Sequence, residues 1–154
     1  QLRAETVRAP TLVQHDQATG QVSMFDLFAD ERPSLAPIQG RFERVLVFTS
    51  YTLMFLPQVL PALFQTVAGC ARQVTAIAIE PCGFQIDAEP GRMTNFDLMQ
   101  RQRFQDLNWN LDLVAAMNRA AAAGIIEPLW LSKNNIVTDD AGTPGCLLIW
   151  RSRS

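Results

Sequence analysis

At 154 residues, 48% hydrophobic and 18% charged, the chain has the length and apolar content of one folded domain rather than of a disordered segment. A net charge of −2 and a pI near 5.3 exclude a general electrostatic grip on nucleic acid or on an anionic membrane surface. Cys70, Cys82 and Cys146, odd in number and widely spaced, fit neither a disulfide framework nor a zinc site, which points to a reducing cytoplasm.

Residues 1–8 (QLRAETVR) have the make-up of the last turns of a helix closed by Pro10, and His15 and Asp16 follow a short mixed stretch. Gly20 marks a turn, residues 21–28 (QVSMFDLF) predict a short strand carrying Asp26, and residues 29–40 predict a surface loop. Val45, Leu46, Val47 and Phe48 run without a polar break, the pattern of a strand buried on both faces. Leu60, Leu63, Phe64, Val67 and Ala71 then recur at helical spacing, with Pro57 and Pro61 near the helix start, where a missing N–H costs little. Residues 74–79 (VTAIAI) predict a second buried strand. Two parallel strands joined by a crossover helix form a βαβ unit, nearly always right-handed. Thr49, Ser50 and Tyr51 stand past the first strand, and Glu80, Pro81 and Cys82 past the second. The carboxyl ends of strands are where open α/β sheets bind ligands.

A loop over residues 83–92 follows, and Thr94 or Asn95 can cap the next helix with Asp97 in its first turn. Phe96, Met99, Arg103, Leu107, Leu111, Val114, Met117 and Ala121 repeat at helical spacing, and Asn108, Trp109 and Asn110 split that run into two helices. Gly124 supplies a stop. Residues 125–137 predict a strand in which Pro128 marks an edge or bulge. Residues 139–145 (DDAGTPG) predict a turn and 146–153 (CLLIWRSR) a last strand. Two strands with no room for a helix between them pair antiparallel. No apolar run has the length of a membrane-spanning helix, since residues 45–56 are interrupted by Thr49, Ser50 and Thr52. The opening residues do not have the pattern of a signal peptide.

This order of elements, with the stretches GRFERVLVFTSYTLMFLP, TAIAIEPC and RQRFQDLNWNLDLVAAMNRAAAAGII followed by NNIVTDDAGTPGCLLIWR, resembles the C-terminal half of a class I S-adenosylmethionine-dependent methyltransferase. The first stretch is similar to that family's fourth strand, with Glu43 where Asp is usual, and the second to its fifth; the family's last two strands form a reversed hairpin. The resemblance, over residues 21–154, implies an α/β fold: a mostly parallel Rossmann-like sheet flanked by helices and ending in an antiparallel β-hairpin, in one domain over residues 1–154. It implies S-adenosyl-L-methionine as cofactor and methyl transfer to a small-molecule acceptor. The family's glycine-rich loop has no counterpart in the sequence, and Asp16 lies too close to Asp26 for a helix between them to make it the ribose-binding acid. The chain, which opens on Gln1, is therefore expected to be a piece truncated on its N-terminal side, inactive alone, from an enzymatic parent.

The same resemblance assigns roles. Asp26, with Leu27 beside it, falls where the family uses an acid near the adenine amino group, and Thr49 and Ser50 fall at the cofactor floor. Tyr51 and Glu80 are the catalytic candidates, and Trp109, Asn110 and Asn135 the substrate-binding ones, Trp109 with Asn108 forming a lid. Glu80 ends an apolar strand, so desolvation should raise its pKa and suit it to act as a base; the bland alternative is an ion pair with Arg101 or Arg103. His15 reads as a solvated loop residue and Cys82 lacks a histidine to activate it. No metal ligands are assigned. A truncated sheet would expose an edge and an apolar face, which predicts self-association. Two rivals stand beside this reading: a non-catalytic α/β scaffold or partner subunit that has lost cofactor binding, and a fragment of a nucleotide-dependent oxidoreductase, against which the terminal hairpin argues.

Overall fold

The computed structural model describes residues 39–89, 91–136 and 143–153. Asp26, Leu27, His15 and Asp16, the helix expected over residues 1–8 and the strand over 21–28 lie outside the described residues. In chain order the elements are β1 (Arg44–Ser50), a 3-10 turn (Leu53–Phe55), α1 (Pro61–Ala68), β2 (Gln73–Glu80), α2 (Gly83–Ile86), α3 (Asn95–Asp106), α4 (Leu113–Ala122), β3 (Ile126–Ile136) and β4 (Gly145–Ser152).

The four strands form one sheet in the order β1-β2-β4-β3. β1 and β2 pair in parallel, with Val47 opposite Ala76. β4 runs antiparallel to both neighbours, placing Leu148 between Ala78 of β2 and Leu131 of β3. The terminal antiparallel pair is thus present, and the protein is α/β. The sheet is mixed rather than mostly parallel, because β4 inserts between β2 and β3 and leaves a single parallel pairing among the described strands. β3 consequently points the same way as β1 and β2, so the carboxyl ends of these three strands share one edge of the sheet.

Local chemistry sets the helix boundaries. Pro61 occupies the first turn of α1. Thr94 closes a capping box on α3: its hydroxyl accepts from the Asp97 N–H at 3.2 Å while the Asp97 carboxylate accepts from the Thr94 N–H at 2.9 Å. Gly124, at φ +74°, takes the left-handed turn that ends α4. α1 and α4 pack on one face of the sheet, burying Phe64, Val114, Met117 and Ala120 against Val74, Ala76, Leu148 and Trp150. The short side chains at Ala76 and Ala78 admit the helices closely, and Phe64 meets the Trp150 ring edge-on at 5.8 Å.

Two apolar runs are placed differently from their sequence pattern. β1 is not buried on both faces: its residues alternate, with Val45 and Val47 turned to the core and Leu46 and Phe48 left 62% and 54% exposed. Among the described residues β1 stands at one end of the sheet, and α1 and α4 cover one of its faces. In α3 the buried residues are Asp97, Gln100 and Phe104, whereas Met99 and Leu107 of the expected stripe are exposed. The capping box and an ion pair from Lys133 to Asp97 at 2.8 Å turn the Asp97 side inward. Lys133 also reaches Asp87 at 2.9 Å, tying both segments to β3. α4 keeps the predicted face, with Val114 and Met117 buried. Residues 83–86, read as loop, form the single turn α2.

Candidate functional site

Three strands end at one edge, and the residues that follow β1 and β2 meet there. Glu80, the last residue of β2, is 1% exposed. Its carboxylate accepts the N–H of Thr52 at 3.1 Å on both oxygens, of Leu53 at 3.1 Å on Oε1 and of Met54 at 3.2 Å on Oε2. The side chain therefore clasps the start of the 3-10 turn, where N–H groups lack partners within the turn itself. Burial pushes the Glu80 carboxyl up to about 7, against the opposing pull of the Leu53, Thr52 and Met54 N–H groups and the nearby Thr49 hydroxyl. The predicted rise is present, but its partners are backbone N–H groups rather than Arg101 or Arg103.

The clasp fixes the residue before it. Tyr51 has φ +50°, uncommon for a bulky side chain. It is held between its own N–H, which donates to the Ile79 carbonyl at 2.8 Å, and the clasped residues that follow. The Tyr51 hydroxyl donates to the Thr143 carbonyl at 2.9 Å, bridging from β1 to the start of β4. Gly145 makes room for this bridge, since a Cβ there would lie 2.8 Å from both the Tyr51 hydroxyl and Ile79 Cγ2. Gly145→Ala is expected to cost about 1–3 kcal/mol in urea unfolding. Adding Tyr51→Phe should recover part of that loss, so the two changes should combine non-additively.

Trp109 and Asn110 join the same edge. The Asn110 N–H donates to the Met54 carbonyl at 2.8 Å. Trp109 meets Phe55 and Phe104 edge-on at 5.2 Å each, and Phe84 packs on Phe104 at 5.1 Å, giving a small second core above the strand ends. Asn110 is buried, and its amide is committed to structure. Its Oδ1 accepts from Leu113 N–H at 2.7 Å and Asp112 N–H at 3.0 Å, and its Nδ2 donates to Asp112 Oδ1 at 3.0 Å. It serves the N-terminus of α4, helped by Gln85 Oε1, which accepts from Val114 N–H at 3.1 Å.

Thr49 and Ser50 are the last two residues of β1 and point to opposite faces, so they do not line one floor together. Thr49 faces Glu80's side of the sheet, where its buried hydroxyl completes no hydrogen bond of good geometry. Ser50 is exposed, and its carbonyl accepts the Thr52 hydroxyl at 2.9 Å. Asn135 falls within β3, and its side chain lies outside the described ones. Its neighbour Asn134 packs where a Gly83 Cβ would stand and donates its N–H to Cys146 Sγ at 3.3 Å. A hydrogen bond from Cys82, aided by the N–H groups of Asn134 and Cys82, lowers the Cys146 thiol to about 7 against the effect of burial. Among the described residues, no cluster of three or more His, Cys, Asp or Glu side chains is arranged to hold a metal, and no helix is long and apolar enough to cross a membrane.

Sequence reasoning missed Thr143, Gly145 and the N–H groups of residues 52–54. The Asn110-Leu111-Asp112 triplet before an apolar run was a readable capping signal. Together the fold and this edge define an α/β protein whose β2 carboxylate organises the turn after β1. No protein-family model, no curated protein and no solved structure matches the chain.

Proposed function

We propose that the chain is the C-terminal portion of a class I methyltransferase-like domain, binding S-adenosyl-L-methionine for methyl transfer to a small-molecule acceptor. The observation that carries this reading is the topology: a parallel β1-α1-β2 unit continued by a reversed final strand, with the carboxyl ends of β1 and β2 brought to one edge. Methyl transfer from a sulfonium demands mainly in-line positioning of the acceptor, which a rigid edge can supply. Within that reading Glu80 is a positioning residue: both carboxylate oxygens hold the backbone, so it shapes the turn that presents Tyr51 and Met54. Tyr51 and Trp109 frame the acceptor side, Thr49 and Ser50 flank the cofactor side from opposite faces of β1, and the resemblance assigns Asp26 and Leu27, outside the described residues, to the same cofactor.

The engagement of Glu80 and Asn110 by structural hydrogen bonds favours a second reading, a non-catalytic scaffold or partner subunit of the same architecture. Calorimetric titration with S-adenosylmethionine, on this chain and on the full product of its reading frame, separates the two. Saturable binding by the full product, weaker or lost in the chain alone, is the expected result. Two well-folded samples that both fail to bind would overturn the methyltransferase reading and leave the scaffold.

A further inference from the structure

The cysteines are too widely spaced in sequence for a disulfide framework, yet the fold brings two of them together. Cys146, the second residue of β4, stands opposite Glu80, the last residue of β2. The Cys82 N–H donates to the Glu80 carbonyl at 2.9 Å, a tight turn about Pro81 that folds Cys82 back over the end of β2. Both cysteines belong to the core under α1 and α4, and Cys82 is 2% and Cys146 0% exposed. Asn134 of β3 joins them from the other side. Its N–H donates to Cys146 Sγ at 3.3 Å, and its Oδ1, 3.5 Å from that sulfur, stands against Gly83, the residue after Cys82. The Cys82 S–H donates to Cys146 Sγ, so the two sulfurs are direct neighbours. Cys70, the third free cysteine, precedes the start of β2 and lies roughly 25 Å away towards the other end of that strand.

We propose that Cys82 and Cys146 form a reversible oxidation site, which a small hydroperoxide converts into an intramolecular disulfide. Cys146 is the attacking group. The hydrogen bond from Cys82 favours its thiolate against the effect of burial, and the Asn134 N–H and the Lys133 charge add to that pull. Cys82 is the resolving group, held as a thiol by its bond to Cys146 and by burial. The Cys146 thiolate attacks one peroxide oxygen: an S–O bond forms, the O–O bond breaks, and the departing hydroxide takes up the proton that Cys146 released. The Cys82 sulfur then attacks the Cys146 sulfur. An S–S bond forms, the S–O bond breaks, and the hydroxyl leaves as water with the Cys82 proton. The two sulfurs give up two electrons, and hydrogen peroxide is reduced to two waters. Burial sets the oxidant class, because a bulky disulfide cannot reach either sulfur in the folded chain. Both cysteines stand at strand ends, which open more readily than strand centres. The new bond ties the end of β2 to the start of β4, at the edge that the Tyr51 hydroxyl already bridges to Thr143. The inference stands apart from the cofactor reading, since it uses only the thiols and their neighbours.

Hydrogen peroxide treatment of the folded chain at neutral pH, followed by unfolding, alkylation and mass spectrometry of peptides, tests it. The expected product is a monomer lacking two hydrogens, with Cys82 joined to Cys146 and Cys70 alkylated. A dithiol reductant should restore all three thiols. Cys146 should be consumed about ten-fold faster than Cys70, whose thiol burial pushes up. In the Cys82→Ser protein the reaction should stop at a sulfenic acid on Cys146, trapped by a 1,3-dione such as dimedone. Cys70→Ser should oxidise as the wild type does. The wild-type peptide map decides the matter even where a serine variant fails to fold. A disulfide that includes Cys70, a cross-link between two copies, or oxidation of Cys70 as fast as Cys146 would overturn the proposal. So would a folded chain whose three thiols all survive peroxide as long as those of a buried, unpaired cysteine.

Discussion

Replacing Glu80 with alanine is expected to destabilise the protein by about 3–4 kcal/mol, the largest single effect outside the main core. The change leaves three N–H groups, those of Thr52, Leu53 and Met54, without their acceptor. A buried donor stripped of its partner costs about 1–3 kcal/mol. Water entering the vacated space will recover part of this, which sets the total below the sum of three full penalties. The damage should spread along defined contacts. Met54 holds Asn110 through its carbonyl, and Phe55 holds Trp109, so a loosened turn releases the second core as well. Tyr51 also loses the clamp that keeps it at positive φ. Glu80→Gln keeps one oxygen as an acceptor but turns an NH2 group towards the same donors, so a loss of about 1–2 kcal/mol is expected. Chemical unfolding of the three proteins orders them as wild type, Gln, then Ala. Alanine at wild-type stability would mean that the clasp contributes nothing. A purely global effect would leave amide exchange at residues 52–54 no faster than elsewhere, whereas the clasp requires those three amides to lead.

What the sequence disclosed and what it concealed follow from the range of each interaction. The helix caps at Thr94 and Gly124, the break at residues 108–110 and the terminal hairpin are local events, written within a few residues of where they act. The rise in the Glu80 pKa was also legible, because an apolar strand before a carboxylate already implies burial. Its partners were not: they are backbone groups some 26 to 28 residues earlier, and backbone N–H groups leave no mark in the identity of Thr52, Leu53 or Met54. The placement of β4 between β2 and β3 was concealed for a similar reason, since an antiparallel hairpin is compatible with either strand facing β2. β1 shows a different limit. A continuous apolar run reads as a doubly buried strand, yet Leu46 and Phe48 stand on the face that no described helix covers. The residues were read correctly as apolar, but which face a helix covers is decided by chain reversals elsewhere. In α3 the charged Asp97 displaced the apolar stripe because one ion pair and one capping box outweighed the contacts that Met99 and Leu107 could have made.

Stability should fall as pH rises from about 5 to 7, the reverse of the usual carboxylate behaviour. Glu80 titrates at about 7 in the folded protein, against an ordinary 4.5. Between those values the native state holds a proton that the unfolded chain has released, so protons favour folding. The contribution is fully present below about 4.5 and is lost as pH climbs through about 7. A difference of this size corresponds to at most about 3 kcal/mol, or roughly 6–12 °C in melting temperature for a chain of this length. Two other groups bound the window. Burial pushes Asp97 up, but Lys133 and Thr94 together bring it below the carboxylate range, so its stabilisation is lost at acid pH. Cys146, lowered to about 7 first by the hydrogen bond from Cys82, adds stability only above that value. Melting curves at pH 5, 6 and 7 therefore isolate Glu80. The wild type should lose its midpoint steadily over these three, while Glu80→Gln, which cannot ionise, should stay flat. A wild type that gains stability over the interval would mean that the four N–H···O contacts outweigh desolvation and hold the carboxylate ionised throughout. An equal slope in the glutamine variant would assign the titration to another group.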